Sequence, residues 1–334
     1  MTTNQMVVPS RQIAFVVDLN KCIGCQTCTV ACKRLWTGHP GQAFMYWRNV
    51  ETAPGQGYPR NWTAKGGGYK AGDLQKGKRP SAADYGIPFE FDYEGRLFEG
   101  KHERARPNPT PRNAPNWDEE QGAGVYPNNH YFFLPRMCNH CSNPACVEAC
   151  PNDAVYRRAQ DGINVINIDK CKGTGACVEA CPYGKAFFNA EDFKGNKCIG
   201  CYPRIEKGVA SACVAQCAGR AMHVGFLDDQ ASSVFKLVNV FKVALPLFPE
   251  FGTKPNVYYI PPAFGPMEED AQGLPTGKPK LPLAFLERMF GPEVSDALAT
   301  LRNERNRKMA GGVSDLMDTM IGHRSADMMI SPLT

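Results

Sequence analysis

The sequence lacks long apolar runs and the patterns that mark a membrane or exported haem protein. No segment reaches the roughly 20 apolar residues that a membrane-spanning helix needs. The nearest candidate, residues 233–245, carries Lys236, Asn239 and Lys242 along one helical stripe and is predicted to be an ordinary helix. The C-x-x-C-H pattern of covalent haem attachment does not occur. The start, MTTNQMVVPSRQ, has no basic segment followed by an apolar run, so we expect neither an export signal nor a direct membrane span.

Cysteine, in contrast, is abundant, and every cysteine belongs to a group. The 334 residues include 15 cysteines, and none lies outside the following four groups: Cys22, Cys25, Cys28, Cys32; Cys138, Cys141, Cys146, Cys150; Cys171, Cys177, Cys181; and Cys198, Cys201, Cys213, Cys217. Disulfides and structural zinc are two alternatives for a cysteine-rich chain. Triplets within seven residues exceed what one tetrahedral zinc uses, and their spacing is typical of iron–sulfur cluster ligands. We therefore predict iron–sulfur clusters.

The third group is one cysteine short. Where a C-x2-C-x2-C run would have its middle cysteine, this group has Thr174. A threonine hydroxyl is a poor iron ligand because its alkoxide is hard to form near neutral pH, whereas a thiol loses its proton readily on metal binding. We therefore predict a [3Fe–4S] cluster here, with a labile [4Fe–4S] cluster that has an oxygen ligand as the competing interpretation.

The spacing also predicts which groups share clusters. In tandem ferredoxin motifs the fourth cysteine of one run binds the cluster of the other run, so motifs fold in pairs. The second and third groups are neighbours in the chain, which leaves the first to pair with the fourth. The predicted sites are [4Fe–4S] on Cys22, Cys25, Cys28 and Cys217; [4Fe–4S] on Cys198, Cys201, Cys213 and Cys32; [4Fe–4S] on Cys138, Cys141, Cys146 and Cys181; and [3Fe–4S] on Cys171, Cys177 and Cys150.

We assign the chain to the α+β class, with two tandem bacterial-ferredoxin-like modules, a long loop-rich insertion and a C-terminal extension. The predicted divisions are module A at 10–34 plus 198–226, the insertion at 35–129, module B at 130–197 and the extension at 227–334. Asp161-Gly162, between two β-rich runs, is a strong hairpin signal, and a similar arrangement follows Cys181. We expect the extension, with two or three helices, to lie across a partner subunit. The alternative is that it packs back on its own core.

The formal net charge of +5 leaves out the cofactors. Thiolate-bound clusters are anionic, so the assembled protein is expected to be near neutral or acidic, and we predict no nucleic-acid partner. Lys21, Lys170 and Lys197 each precede the first cysteine of a group. They are candidate counter-charges, with an ordinary solvated side chain as the alternative for each. No catalytic constellation is evident, and His140 is expected to pack or hydrogen-bond near a cluster.

At this point the motifs carry a family resemblance. The segments LNKCIGCQTCTVACK, WRNVETAPGQGYPRNW, CIGCYPRIEKGVASACVAQC and KVALPLFPEFGTKPNVYYIPP resemble the β subunit of respiratory nitrate reductase. They are still more similar to the shorter iron–sulfur β subunits of type II molybdoenzymes of the dimethyl sulfoxide reductase family, which serve perchlorate, chlorate and selenate reductases and dimethyl sulfide, ethylbenzene and steroid dehydrogenases. Nitrate reductase β subunits are longer and have tryptophan at the position of Thr174, which favours the shorter branch.

The resemblance implies an electron-transfer subunit that is not an enzyme on its own. Its four clusters would connect a molybdopterin-containing α subunit with a haem b γ subunit, with the cluster of Cys22 nearest the molybdenum and the three-cysteine cluster nearest the haem. The resemblance also implies a periplasmic location, with export on the α subunit's signal. The alternatives are a nitrate-reductase-type β subunit at the cytoplasmic face of the inner membrane and a self-contained iron–sulfur enzyme.

Overall fold

A computed structural model describes residues 7–85, 132–265 and 267–321. Its strands are β1 Ile13–Asp18, β2 Asn49–Ala53, β3 Gly68–Lys70, β4 Asp73–Gln75, β5 Phe132–Arg136, β6 Val155–Arg157, β7 Asn164–Ile166, β8 Ala186–Asn189, β9 Lys194–Lys197, β10 Met222–Phe226, β11 Leu245–Pro246, β12 Val257–Ile260, β13 Met267–Glu269 and β14 Pro275–Pro279. Its helices are α1 Thr27–Trp36, α2 Ala145–Glu148, α3 Ala176–Glu179, α4 Tyr202–Ile205, α5 Ala212–Ala215, α6 Ser233–Phe235, α7 Leu283–Phe290, α8 Val294–Met309 and α9 Asp315–Ile321.

The central sheet has the strand order β10-β1-β12-β11. All six residues of β1, IAFVVD, are buried, as is typical of a strand covered on both faces. β1 runs antiparallel to β10, with Ile13 opposite Phe226, and parallel to β12, with Phe15 opposite Val257. Because β1 precedes the first cysteine group and β10 follows the fourth, this pairing brings those two groups together.

Two hairpins follow the second and third cysteine groups, as the sequence predicted. β6 and β7 pair antiparallel, with Val155 opposite Ile166, and Gly162 in the connection has a φ of 71°, which glycine adopts without strain. β8 and β9 pair in the same way, with Ala186 opposite Lys197. Each hairpin therefore places the end of one cysteine group next to the start of the following group.

The helix after the first cysteine loop is longer than those after the second and third loops. α2 and α3 have four residues each, and each is followed by alanine, cysteine and proline. In the first group Lys33 stands where the second and third groups have that proline, so the backbone N–H groups of the next turn remain available. α1 consequently continues to Trp36, and the Thr37 N–H closes its last turn on the Lys33 carbonyl at 3.1 Å.

The described part of the predicted insertion contains short strands joined by loops. β2 pairs with β5, with Asn49 opposite Arg136, and β3 pairs with β4. Tyr58, Tyr85 and Phe187 form an aromatic cluster, with centroid distances of 4.9 Å and 5.2 Å from the Tyr85 ring. This cluster fixes the insertion on the β8–β9 hairpin. Residues 86–129 of the predicted insertion lie outside the described residues.

The extension packs on its own core, and its expected contact with a partner subunit stays a prediction. β11 and β12 join the central sheet, and Phe290, Leu301 and Leu316 of α7, α8 and α9 are buried in the main hydrophobic core. The helix expected over residues 233–245 is also shorter than predicted. α6 ends at Phe235 and continues only as a π-helical turn over Lys236–Val240, after which Lys242 has a φ of 53°. No described helix has the length and apolar character of a membrane span.

Candidate metal centres

The first set of cysteines comes from the two groups that the central sheet brings together. The following residues line one cavity: Cys22, Cys25, Cys28 and Cys217. Gly24 allows the tight loop because its φ is 71° and a Cβ there would lie 2.7 Å from the Phe133 ring. The Ala221 N–H donates to Cys217 Sγ at 3.3 Å. Cys25 is exposed, so this cavity reaches the protein surface.

The second set lies deeper in the protein. Its members line a second cavity and are Cys32, Cys198, Cys201 and Cys213. Trp36 Nε1–H donates to Cys201 Sγ at 3.1 Å, and the Gly200 N–H donates to Cys198 Sγ at 3.3 Å. Trp47 lines the same cavity. Burial raises the pKa of the Cys213 thiol to about 11, so without a metal this group holds its proton.

The third set comprises Cys138, Cys141, Cys146 and Cys181. Burial raises the pKa of the Cys146 thiol, and the nearby thiols of Cys138, Cys141 and Cys181 raise it further. Burial alone would also raise the pKa of Cys138, but Lys197 and His140 outweigh it and lower that pKa to about 5. His140 Nδ1 accepts a hydrogen bond from the Asn164 N–H at 3.2 Å, so this histidine hydrogen-bonds beside the site, as expected.

The fourth set has three cysteines and one threonine. Burial, with Cys150 and Cys171 as the nearest charged neighbours, raises the pKa of Cys177 to about 12. The Gly195 N–H donates to Cys171 Sγ at 3.4 Å. Thr174 is exposed, and its Oγ1 accepts a hydrogen bond of 3.5 Å from the Ala176 N–H. Its loop therefore brings no fourth thiol to this set.

In every set, most cysteines come from one group and the last comes from a different group. None of the 15 cysteines forms a disulfide, so the disulfide alternative is wrong. Thiol donors around a cavity, with backbone N–H groups donating to their sulfur atoms, fit an anionic iron–sulfur cluster because such hydrogen bonds offset its charge. The ligand sets themselves stay predictions.

The three lysines that precede cysteine groups have different surroundings. Lys197 is buried among the sites, and Lys170 is exposed. Lys21 lines the first cavity, and its Nζ donates to the Met320 carbonyl. Only Lys21 and Lys197 are therefore placed as counter-charges for buried thiolates.

Sequence reasoning missed the residues that the insertion contributes to the sites. Arg48 is 1% exposed and lines the second cavity. The sequence predicted only loops with short strands for the insertion that contains this residue. Arg79 donates to the Thr174 carbonyl and forms an ion pair of 3.3 Å with Glu179. One signal was available for the first of these. Arg48 is the only formally charged residue between Arg34 and Glu51, in the otherwise apolar and aromatic run FMYWRNV.

Comparisons with known proteins agree with this arrangement. Residues 21–154 and residues 129–227 each match a family described as a 4Fe-4S dicluster domain. The perchlorate reductase subunit beta of Dechloromonas aromatica is 69% identical over 99% of each chain. The dimethylsulfide dehydrogenase subunit beta of Rhodovulum sulfidophilum and the selenate reductase subunit beta of Thauera selenatis are each 52% identical over 95% of this chain and 98% of their own. The chain thus belongs to the iron–sulfur β subunits of type II molybdoenzymes, and it is an electron-transfer subunit that is not catalytic by itself.

Proposed function

We propose that this chain conducts electrons through four iron–sulfur clusters between a molybdopterin-containing α subunit and a haem b γ subunit. The observation that carries the proposal is that successive cysteine sets adjoin one another. Cys28 of the first set lies near enough to Cys213 of the second to affect its pKa. Cys138 of the third set has the same effect on Cys198 of the second.

The fourth set completes the series. Cys181 of the third set is among the neighbours that raise the pKa of Cys177, after burial and the two cysteines of its own set. These neighbouring pairs support the proposed order first, second, third, fourth. Bound clusters supply one-electron acceptors, and the chain spaces and insulates them.

The proposed cofactors are three [4Fe–4S] clusters and one [3Fe–4S] cluster. The first three sets offer four thiols each, which supports the [4Fe–4S] assignment. In the fourth set Thr174 offers only a hydroxyl, which is a poor iron ligand near neutral pH, where the second group offers the thiol of Cys141. This supports the assignment of a three-iron cluster to Cys171, Cys177 and Cys150.

The proposed direction of the series places the first set nearest the molybdenum and the fourth nearest the haem. Both ends carry exposed apolar side chains, which are typical of covered interfaces. Ile23, beside Cys22, is 67% exposed. At the other end, Phe193 is 67% exposed and its carbonyl contacts the loop at Gly173, while Ile168 is 50% exposed.

We further propose that the complex is periplasmic and is exported together with its α subunit. The support is the similarity to the shorter branch of the family. Fractionation of cells that express the whole complex tests this proposal. Recovery with periplasmic markers is expected, and recovery at the cytoplasmic face of the inner membrane would favour the nitrate-reductase-type alternative.

Low-temperature electron paramagnetic resonance (EPR) of the complex tests the cluster assignment. An oxidised [3Fe–4S] cluster is paramagnetic and an oxidised [4Fe–4S] cluster is not, so the oxidised protein should give one signal from a single three-iron centre. Iron analysis should give fifteen irons for each chain, from three clusters of about four and one of about three. No oxidised signal in fully loaded protein would contradict the assignment.

Expression of the chain alone tests the need for a partner. The exposed apolar ends lead us to expect aggregated or unstable protein without the α subunit. Mass spectrometry of the native complex should identify the molybdenum-bearing partner and the haem subunit. A monodisperse, cluster-loaded monomer from expression alone would contradict the proposal.

A further inference from the structure

Two buried cations lie between successive cysteine sets. Arg48 is 1% exposed and Lys197 is 3% exposed. Neither forms a salt bridge to a carboxylate within residues 7–85, 132–265 and 267–321. We propose that each of these two residues sets the reduction potentials of two neighbouring clusters. Arg48 acts on the clusters of the first and second sets, and Lys197 acts on the clusters of the second and third sets. The inference rests on the ligand sets of the proposed function.

Arg48 reaches both the first and the second sets. Its side chain lines the cavity of the second set. Its Nη2 donates to Met222 Sδ at 2.9 Å, and Met222 lines the cavity of the first set. Its Nε and Nη1 are buried and have no hydrogen-bond partner among the described residues. Because a buried guanidinium with free donors is costly, an anion in those cavities would stabilise it.

Lys197 occupies the equivalent position between the second and third sets. Its Nζ donates to the Asn164 carbonyl and, at 3.1 Å, to the Cys198 carbonyl of the second set. Cys138 and Cys146 of the third set and Cys198 of the second are its neighbours, and a hydrogen bond joins Lys197 to Cys138. The ammonium therefore lies between thiols of two different sets, as the guanidinium does at the preceding junction.

Two cations near the junction of the third and fourth sets share one carboxylate instead. Lys185 Nζ and Arg136 Nη1 each lie 2.9 Å from a carboxylate oxygen of Glu51. The single carboxylate of Glu51 offsets one of these two positive charges, so the group keeps one positive charge. Arg48 and Lys197 differ from it because they have no carboxylate partner within the described residues.

The physical consequence follows from the low dielectric constant of the interior. A fixed positive charge favours the addition of an electron to a nearby cluster, and buried charges are little screened by salt. A cation between two clusters raises both potentials and offsets the repulsion between two reduced clusters. Its effect falls with distance, so the clusters beyond the adjoining pair should be affected least.

The test is EPR-monitored redox titration of the complete complex. We compare Arg48→Met and Lys197→Met, which remove the charge, with Arg48→Lys, which keeps it. The matched control is Lys170→Met, since Lys170 also precedes a cysteine group but is exposed. Iron content and the number of EPR signals are recorded first, so that a wrong ligand assignment in the unmodified complex is detected separately.

Arg48→Met should lower the midpoint potentials of the first and second clusters by at least a tenfold change in the reduction equilibrium, which is about 59 mV for one electron. Lys197→Met should do the same to the second and third clusters. Arg48→Lys and Lys170→Met should stay within a threefold change. If Arg48→Met loses a cluster, Arg48→Lys decides the matter. If Arg48→Lys is fully loaded with clusters and its potentials are unmodified, the charge is what matters. If Arg48→Lys loses the same cluster, the role of charge is overturned. Unchanged potentials in both neutral variants, or an equal shift of all four clusters, would also overturn the inference.

Discussion

The second and third cysteine groups have the same local backbone structure but different numbers of cysteines. Each loop leads into a four-residue helix of identical sequence, Ala-Cys-Val-Glu, at Ala145–Glu148 and Ala176–Glu179. Each helix is followed by alanine, cysteine and proline. The loops differ, because one supplies Cys141 and the other has Thr174. A difference in cluster type must therefore arise from the loop and not from the helix.

The surroundings of the two loops differ as well. Asn139 and His140 of the second group are 3% and 1% exposed, and Glu51 and Lys185 form a buried pair near Cys181. Thr174 of the third group is exposed, and its neighbouring ion pair, Arg79 with Glu179, is about one-third exposed on both sides. The loop with four thiols is enclosed, whereas the loop with three is open to solvent.

Removal of a thiol from the enclosed loop should have the largest effect. Cys141→Ala deletes one of four proposed ligands, so we expect the third set to lose its [4Fe–4S] cluster or at least one iron. Thr174→Ala in the open loop is the matched control, and it should leave iron content unchanged because the hydroxyl is not a ligand. Iron analysis and EPR of the reduced protein measure both. Equal iron content in Cys141→Ala and the unmodified protein would refute the proposed ligand set.

Loss of the buried carboxylate behind the enclosed loop should have the next largest effect. Although burial raises its pKa, Arg136 and Lys185 outweigh that and lower the pKa of Glu51 to about 2, so Glu51 is ionised at neutral pH. Glu51→Gln leaves two buried cations without their counter-charge, which typically costs about 3–5 kcal/mol. We expect a clear drop in the temperature at which the complex releases its clusters, followed by visible absorbance.

Glu179→Gln is the control for this comparison. It removes the carboxylate of the exposed pair at the open loop, where the expected cost is about 0–1 kcal/mol. A cluster-release temperature that falls equally in both variants would show that burial does not distinguish the two pairs.

A gain of one thiol in the open loop should make the two groups alike. Thr174→Cys places a thiol with two residues between it and each of Cys171 and Cys177, which is the C-x2-C-x2-C spacing. We expect one additional iron per chain and the loss of the EPR signal of the oxidised protein. Thr174→Ser should retain that signal. Persistence of the signal in Thr174→Cys, with unchanged iron content, would mean that more than this residue decides the cluster type.

The smallest effect is expected from the residue that covers the open loop. Arg79→Ala removes a hydrogen bond to the Thr174 carbonyl and a partly exposed ion pair, so the loss of stability should stay within about 1 kcal/mol. The three-iron EPR signal should remain. The measurement is again the cluster-release temperature, with Arg79→Lys as the conservative variant. A loss of the signal would assign Arg79 a direct part in cluster retention.

Local features were predictable from the sequence alone. The cysteine groups, the missing ligand at Thr174 and the hairpin at Asp161-Gly162 depend on spacings of a few residues and on turn chemistry. The family could be recognised for the same reason, since its cluster motifs are local and specific. Lys33 stands where the second and third groups have proline, and α1 is longer there.

Only the tertiary structure decided which distant residues meet. β12 of the extension lies beside β1, more than 200 residues away in the chain, because a strand buried on both faces needs partners at both edges. Arg48 and Lys197 lie between sets whose members come from different groups, and no local pattern encodes such a position. A charge on an isolated segment is simply solvated. It acquires an effect on a cluster only when packing removes water and leaves the anionic site as its partner.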